Sequence, residues 1–103
     1  MELETVSHDF ASAMNDKHTD MIYSVEPGRK YNRIVQENKS WGGRSVHAFV
    51  ERATGKLVKS AGWKAPQKTS TGELAYRFDI STLEGLEAAV EASDRHGGYL
   101  YQR

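Results

Sequence analysis

Near the start of the chain apolar residues recur at intervals of three and four. Leu3, Val6, Phe10 and Met14, flanked by Ala11 and Ala13, make the stripe of a short amphipathic helix that ends before Thr19. The period then drops to two. "MIYSV" (21–25) is β-branched and aromatic and is closed by Pro27-Gly28, which predicts a short strand or an extended lead-in. "KYNRIVQEN" (30–38) reads as a strand with Tyr31, Arg33 and Val35 on one face and Asn32, Ile34 and Gln36 on the other, and "KSWGGR" supplies Gly42-Gly43 for a reversal. In "SVHAFVE" (45–51) Val46, Ala48 and Val50 alternate with His47, Phe49 and Glu51. "RATG" then turns the chain and "KLVKSA" returns it, with Glu51 and Lys56 placed as a cross-strand ion pair.

"KAPQKTSTGE" (64–73) contains Pro66, Gly72 and three hydroxyl residues and predicts a loop, mobile at 69–72. "LAYRFDI" (74–80) alternates again, with Leu74, Tyr76, Phe78 and Ile80 inward. The last helix starts at "STLEGLEAAVEA". Ser81 and Glu84 have the spacing of a capping box, the apolar stripe is Leu83, Leu86, Ala89 and Val90, and Arg95, His96 and Gly97 form its end. Gly85 inside this helix implies either a close approach to the sheet or a tolerated weakness costing up to about 1 kcal/mol relative to alanine. "YLYQR" reads as a final edge strand. The expectation is one α+β domain over residues 1–103, in the order αββββα. It is a small antiparallel sheet of three to five strands with an N-terminal and a C-terminal helix packed on one face.

At 103 residues without cysteine, disulfides and thiolate zinc sites are excluded. "MELETVSHDF" is too acidic for a signal peptide and no apolar run approaches membrane-spanning length, so the expected location is cytoplasmic with no membrane contact. The zero net charge hides a segregation. Residues 1–27 carry six acids against one base, residues 28–68 ten bases against two acids, and residues 69–103 six acids against three bases. A basic middle attracts polyanions, whereas acidic ends folded over it would neutralise it.

No motif marks a reaction. His8, His18, His47 and His96 lack metal-ligand spacing, there is no G-x-S-x-G elbow or glycine-rich phosphate loop, and Glu84, Glu87 and Glu91 have the spacing of a solvated helix face. The expectation is therefore a non-enzymatic protein with no metal and no cofactor. Arg29, Lys30, Arg33, Arg44, Arg52, Lys56, Lys59 and Lys64 lie on successive strands and turns, interleaved with Tyr31, Trp41, Phe49 and Trp63. Cations that meet phosphates and aromatics that stack on bases suit a sheet lying on DNA or RNA. The candidate nucleic-acid-binding residues are Arg29, Lys30, Arg33, Trp41, Arg44, Arg52, Lys56, Lys59 and Lys64. For Phe49 and Trp63 the favoured place is the core beneath the C-terminal helix. The rival reading is an interaction module that blocks or recruits a host protein, or a homodimer pairing basic middle with acidic helix.

Two resemblances bear on this. "RSVHAFVERATGKLVKSAGWKAP" followed by "YRFDI" resembles a pattern in small uncharacterised proteins of tailed bacteriophages, over residues 30–80. It implies an accessory protein acting in the cytoplasm of a bacterial host and brings no catalytic residue. The order of strands before "FDISTLEGLEAAVEA", with the basic "KYNRIVQENKSWGGR", is similar to plant AP2-type and integrase-arm domains, which lay a three-stranded sheet in the major groove. This chain departs from them in its longer sheet-to-helix connection and added first helix.

Overall fold

The computed structural model describes residues 5–73, 76–94 and 98–100. Helix α1 (Val6–Lys17) leads into five strands, β1 (Met21–Glu26), β2 (Tyr31–Asn38), β3 (Arg44–Glu51), β4 (Lys56–Lys59) and β5 (Tyr76–Asp79), followed by helix α2 (Leu83–Ala92) and a 3-10 turn at Gly98–Leu100. The strands pair antiparallel in chain order, β1 and β5 being the edges, and both helices lie on one face. "MIYSV" is thus a full strand, and the fold is the expected α+β arrangement. Leu3, Leu74, Ala75, Arg95, His96, Gly97 and 101–103 lie outside the described residues, so of "YLYQR" only Tyr99 and Leu100 are placed. Both are buried in the 3-10 turn rather than in an edge strand. Among the described residues no helix is long and apolar enough to cross a membrane.

The core forms where the α1 stripe meets the sheet. Val6, Phe10, Ala11 and Met14 pack with Tyr23, Ile34, Ala48, Val50 and Leu57, and α2 adds Leu86 and Ala89. Burying each of the larger side chains contributes about 1.5–3 kcal/mol. The sheet has a second apolar side. Val35, Phe49 and Val58 are buried outside that core, on the face away from the helices, where segment 60–68, turned back by a Ser60–Pro66 bridge, brings the Trp63 carbonyl and ring to Arg33. Phe49 is therefore interior but not beneath α2, and Trp63, 43% exposed, lies in segment 60–68.

Two bulges revise the strand faces. Ile34 pairs with Ala48 but Val35 pairs with Val46, so His47 is an extra residue in β3. Val46 consequently sits on the opposite face from Ala48 and Val50, and His47 turns inward against Tyr23 and Tyr99. In the same way Leu57 pairs with Phe78 but Val58 with Tyr76, which makes Arg77 the extra residue and moves Tyr76 to the face away from the helices. The expected Glu51–Lys56 ion pair does not form. Glu51 accepts a hydrogen bond from Thr54 instead, and the Lys56 ammonium lies 4.6 Å from the Tyr76 ring centroid.

The ends of α2 also differ from expectation. Thr82, not Ser81, is the N-cap and accepts from the Gly85 amide at 3.1 Å, while Ser81 donates to Asp79. Leu83, on the expected stripe, is 57% exposed. At the other end Lys17 reaches from α1 to the carbonyls of Val90, Glu91 and Ser93 at 2.7, 2.8 and 3.1 Å, satisfying acceptors that the helix leaves open.

Strand β1 is an edge, and Asn15 of α1 closes part of it. Its amide donates to the Tyr23 carbonyl at 3.0 Å, and its oxygen accepts from the Tyr23 amide at 2.6 Å, as a neighbouring strand would. Asn15→Ala is expected to cost about 1–2 kcal/mol from the two lost hydrogen bonds and to raise self-association through the opened edge. Urea denaturation and size-exclusion chromatography check the two effects separately.

Candidate nucleic-acid interface

An antiparallel meander gathers alternate turns at the same end. The β1–β2 turn (27–30) and the β3–β4 turn (52–55) therefore lie side by side, joined by the Arg52 amide donating to the Lys30 carbonyl at 3.0 Å. The first turn of α1 ends at the same place. Between them lies a cleft of about 920 Å³ lined by His8, Arg29, Lys30, Asn32 and Arg52, with Pro27 and Ala53 at its wall. No carboxylate is among the described residues that line it. The Arg52 guanidinium donates to the Gly28 carbonyl at 2.7 Å, which ties it across the β1–β2 turn and leaves its other donors uncommitted.

The other side of that turn holds a smaller hollow of about 210 Å³, lined by Arg29, Lys30, Arg33, Lys64, Phe49 and Glu26 among others. The expected binding residues separate here according to their partners. Arg33 and Arg44 both bond Glu26 at 3.0 Å, and those two hydrogen bonds hold the Glu26 carboxyl below its ordinary range. Arg33 also donates to the Trp63 carbonyl at 2.8 Å, and the two guanidiniums lie 5.1 and 6.0 Å from the Trp63 ring centroid. One acid from the N-terminal part of the chain therefore neutralises part of the basic middle.

Arg29, Lys30, Arg52 and Lys64 are exposed, and among the described residues none forms an ion pair. Lys56 lies over Tyr76 on the face away from the helices, whereas Lys59, paired in register with Ala48, lies on the helix side. Those two do not act as one patch. Trp41, 76% exposed, sits in the β2–β3 turn at the opposite end of the sheet, its ring over Gly43. The structure thus brings together Arg29, Lys30, Arg52 and Lys64, with Arg33 and Arg44 beside them but tied to Glu26, and leaves Trp41, Lys56 and Lys59 elsewhere. On the sheet face that a groove-reading domain would lay on DNA, Arg33 and Arg44 are engaged by Glu26 and by Trp63.

Two cleft residues, His8 and Asn32, were not among the candidates. His8 precedes Asp9 on an exposed helix turn and offers no spacing signal. Asn32 shares the inward face of β2 with Ile34 and Gln36, and a polar residue on a buried face is the available clue.

A second polar cluster is interior. His47 Nε2 lies 2.7 Å from Tyr99 Oη, and burial lowers the His47 pKa to about 4, opposed by Asp94 and aided by His18 and Lys59. Burial pushes the Tyr99 phenol up, so it stays protonated. His47 is locked in the core, and no substrate-sized opening among those described reaches it.

The family profile that matches residues 1–102 is that of DUF7717, a family of unknown function, and the chain belongs to it. No curated protein and no solved structure matches the chain.

Proposed function

We propose that this protein binds nucleic acid without catalysis, through phosphates, at the turn end of its sheet rather than on the flat of the sheet. The observation that carries the reading is the grouping of Arg29, Lys30 and Arg52 around one cleft whose described lining holds no carboxylate, with Lys64 on the flank. Permanent cations left unpaired at a shared edge attract a phosphate backbone. The resemblance to tailed-bacteriophage proteins supports an accessory role in the cytoplasm of a bacterial host. With about four phosphates engaged, the logarithm of single-strand affinity is expected to fall with the logarithm of salt at a slope of about −3. Fluorescence anisotropy across a salt series measures this slope. Arg29→Glu or Arg52→Glu is expected to abolish binding, while Lys39→Glu and Trp41→Ala, at the far end, leave it in place. Binding that ignores salt, or survives both reversals, defeats the reading.

One observation favours a rival. Helix α2 exposes Glu84, Glu87 and Glu91, an acidic face that the cationic end of a second copy, or a basic host protein, fits. A salt-sensitive dimer on size-exclusion with no nucleic-acid binding assigns the cations to that role.

A further inference from the structure

The hollow beside the β1–β2 turn differs from the cleft in what lines it. The cleft offers cations, whereas the hollow, of about 210 Å³, combines two aromatic rings, a held guanidinium and a carboxylate with cations around them. Tyr31 and Phe49 share one face of the sheet and meet edge to face, their centroids 6.2 Å apart and their planes at 75°. Phe49 is buried and Tyr31 half-buried, so Tyr31 presents the accessible ring. Arg33 is held beside them by Glu26 and by the Trp63 carbonyl, its guanidinium 5.9 Å from the Phe49 centroid and 5.1 Å from that of Trp63. Arg29, Lys30 and Lys64, all exposed, also line the hollow.

Glu26 decides what this hollow can take. It is the one acid among the described residues that line it, and a carboxylate there repels a phosphate. Its Oε1 accepts from Arg33 and its Oε2 from Arg44, and those bonds favour the ionised form, which only accepts. A carboxylate has about four acceptor positions, so capacity remains for another donor. A flat uncharged ring with an N–H on its edge satisfies both walls, its face on Tyr31 and its edge on Glu26. The hollow is smaller than the roughly 300–1,000 Å³ of sites for drug-sized ligands, which suits one ring system rather than a whole nucleotide. Among nucleobases the exocyclic amines of cytosine, adenine and guanine supply the donor. Thymine has a carbonyl where cytosine has its amine, and would set acceptor against acceptor.

The Lys30 ammonium, 5.6 Å from the Tyr31 centroid, occupies that ring in the free protein. A base stacked on an aromatic ring is worth more than an exposed ammonium over the same ring, so the base displaces it. The flexible lysine stem then lets the charge turn to the neighbouring phosphate. Arg29 and Lys30 line both the hollow and the cleft, so a strand with one base in the hollow has its phosphates beside the cleft cations.

Resting on the nucleic-acid reading above, we infer that the hollow between the β1–β2 turn and Lys64 holds one unpaired, amine-bearing base of a single strand, stacked on Tyr31 with its amine on Glu26. Oligo(dC) and oligo(dT) of roughly 12 nucleotides, enough to cover a small single-strand site, carry the same phosphates and differ only in the base. Fluorescence anisotropy is expected to show oligo(dC) bound about tenfold tighter, the worth of one charge-assisted hydrogen bond. Tyr31→Ala is expected to weaken oligo(dC) binding about tenfold, and Tyr31→Phe, which keeps the ring, to retain it. Glu26→Gln is expected to bring the ratio of the two affinities close to one, whatever the release of Arg33 and Arg44 does to their common value. Trp41→Ala, at the far end of the sheet, is expected to retain the ratio. Circular dichroism establishes which variants fold, and if Tyr31→Ala does not, the Glu26→Gln ratio decides. Equal affinity for the two strands, a ratio that Glu26→Gln leaves unchanged, or a folded Tyr31→Ala that binds like the parent overturns the base inference while leaving phosphate-directed binding intact. Binding of neither strand overturns both.

Discussion

Between pH 6.5 and pH 4 the protein is expected to lose about 3 kcal/mol of stability through His47 alone. His47 is buried on the helix side of β3, and the cost of desolvating its charged form brings its pKa from 6.5 down to about 4. The sign follows from which state binds the proton more readily. Unfolded chains take it up near pH 6.5, while the folded protein resists until about pH 4. Stability is therefore complete above pH 6.5 and declines as the pH falls through that window. Tyr99 is compatible with the neutral state, since its phenol stays protonated and its oxygen lies 2.7 Å from His47 Nε2, within reach to donate to it. Asp94 opposes by favouring the cation, but it ranks below burial as a cause.

Urea denaturation of the parent and of His47→Gln at pH 7 and pH 4.5 checks this. The variant is expected to be less stable at pH 7 and to show a much smaller drop on acidification. Carboxylates, Glu26 among them, titrate in both proteins and cancel in the comparison. Parallel losses in the two proteins mean that His47 is not held neutral.

The same histidine shows where sequence reading stops. Period-two alternation located β2, β3 and β5, and helical spacing located α1 and α2, because those patterns are imposed by burial of one face. A bulge leaves the composition of a strand intact while changing which residues share a side. Nothing in "SVHAFVE" marks His47 as the extra residue; the register is set by β2 across the ladder. Tyr76 changed sides for the same reason at β5.

Charge was legible as a segregation along the chain but not as a pattern in space. The four bases that share the turn end come from two turns and the segment after β4, and only strand order brings them together. Glu26 was counted with an acidic N-terminal segment, yet the antiparallel pairing of β1 with β2 places it opposite Arg33, within reach of Arg44. Pairing across a ladder is non-local, so it removed two of the expected binding residues and left Arg29, Lys30 and Arg52. Those three lie in turns, where the strands offer no facing carboxylate.

Gly85→Ala is expected to destabilise the protein by about 1–3 kcal/mol, the usual cost of overpacking, although alanine is the better helix former by about 1 kcal/mol. Of the two explanations open for this glycine, the close approach is the one realised. A Cβ at position 85 would fall closer than 3.0 Å to the Asp79 carbonyl oxygen, which is backbone and cannot swing aside. Asp79 is fixed on both sides, by its place in β5 and by the Ser81 amide and hydroxyl bonded to its carboxylate. The strain must therefore be relieved by moving α2, which lifts Leu86 and Ala89 from the core and pulls the last turn from Lys17.

The consequence reaches the cationic end. Gly55, at φ +82° in the β3–β4 turn, packs against Ser81 just before α2 and accepts the Ile80 amide at 2.8 Å. The turn that carries Arg52 is thus braced by the start of α2. Ala88→Gly, on the exposed side of the same helix, supplies the contrast: it costs about 1 kcal/mol through propensity alone and leaves the brace untouched. Thermal and urea unfolding of both variants separate the effects. If Gly85→Ala proves as stable as the parent, α2 does not seat on the end of β5, and Arg52 lacks the support that orients it toward the cleft.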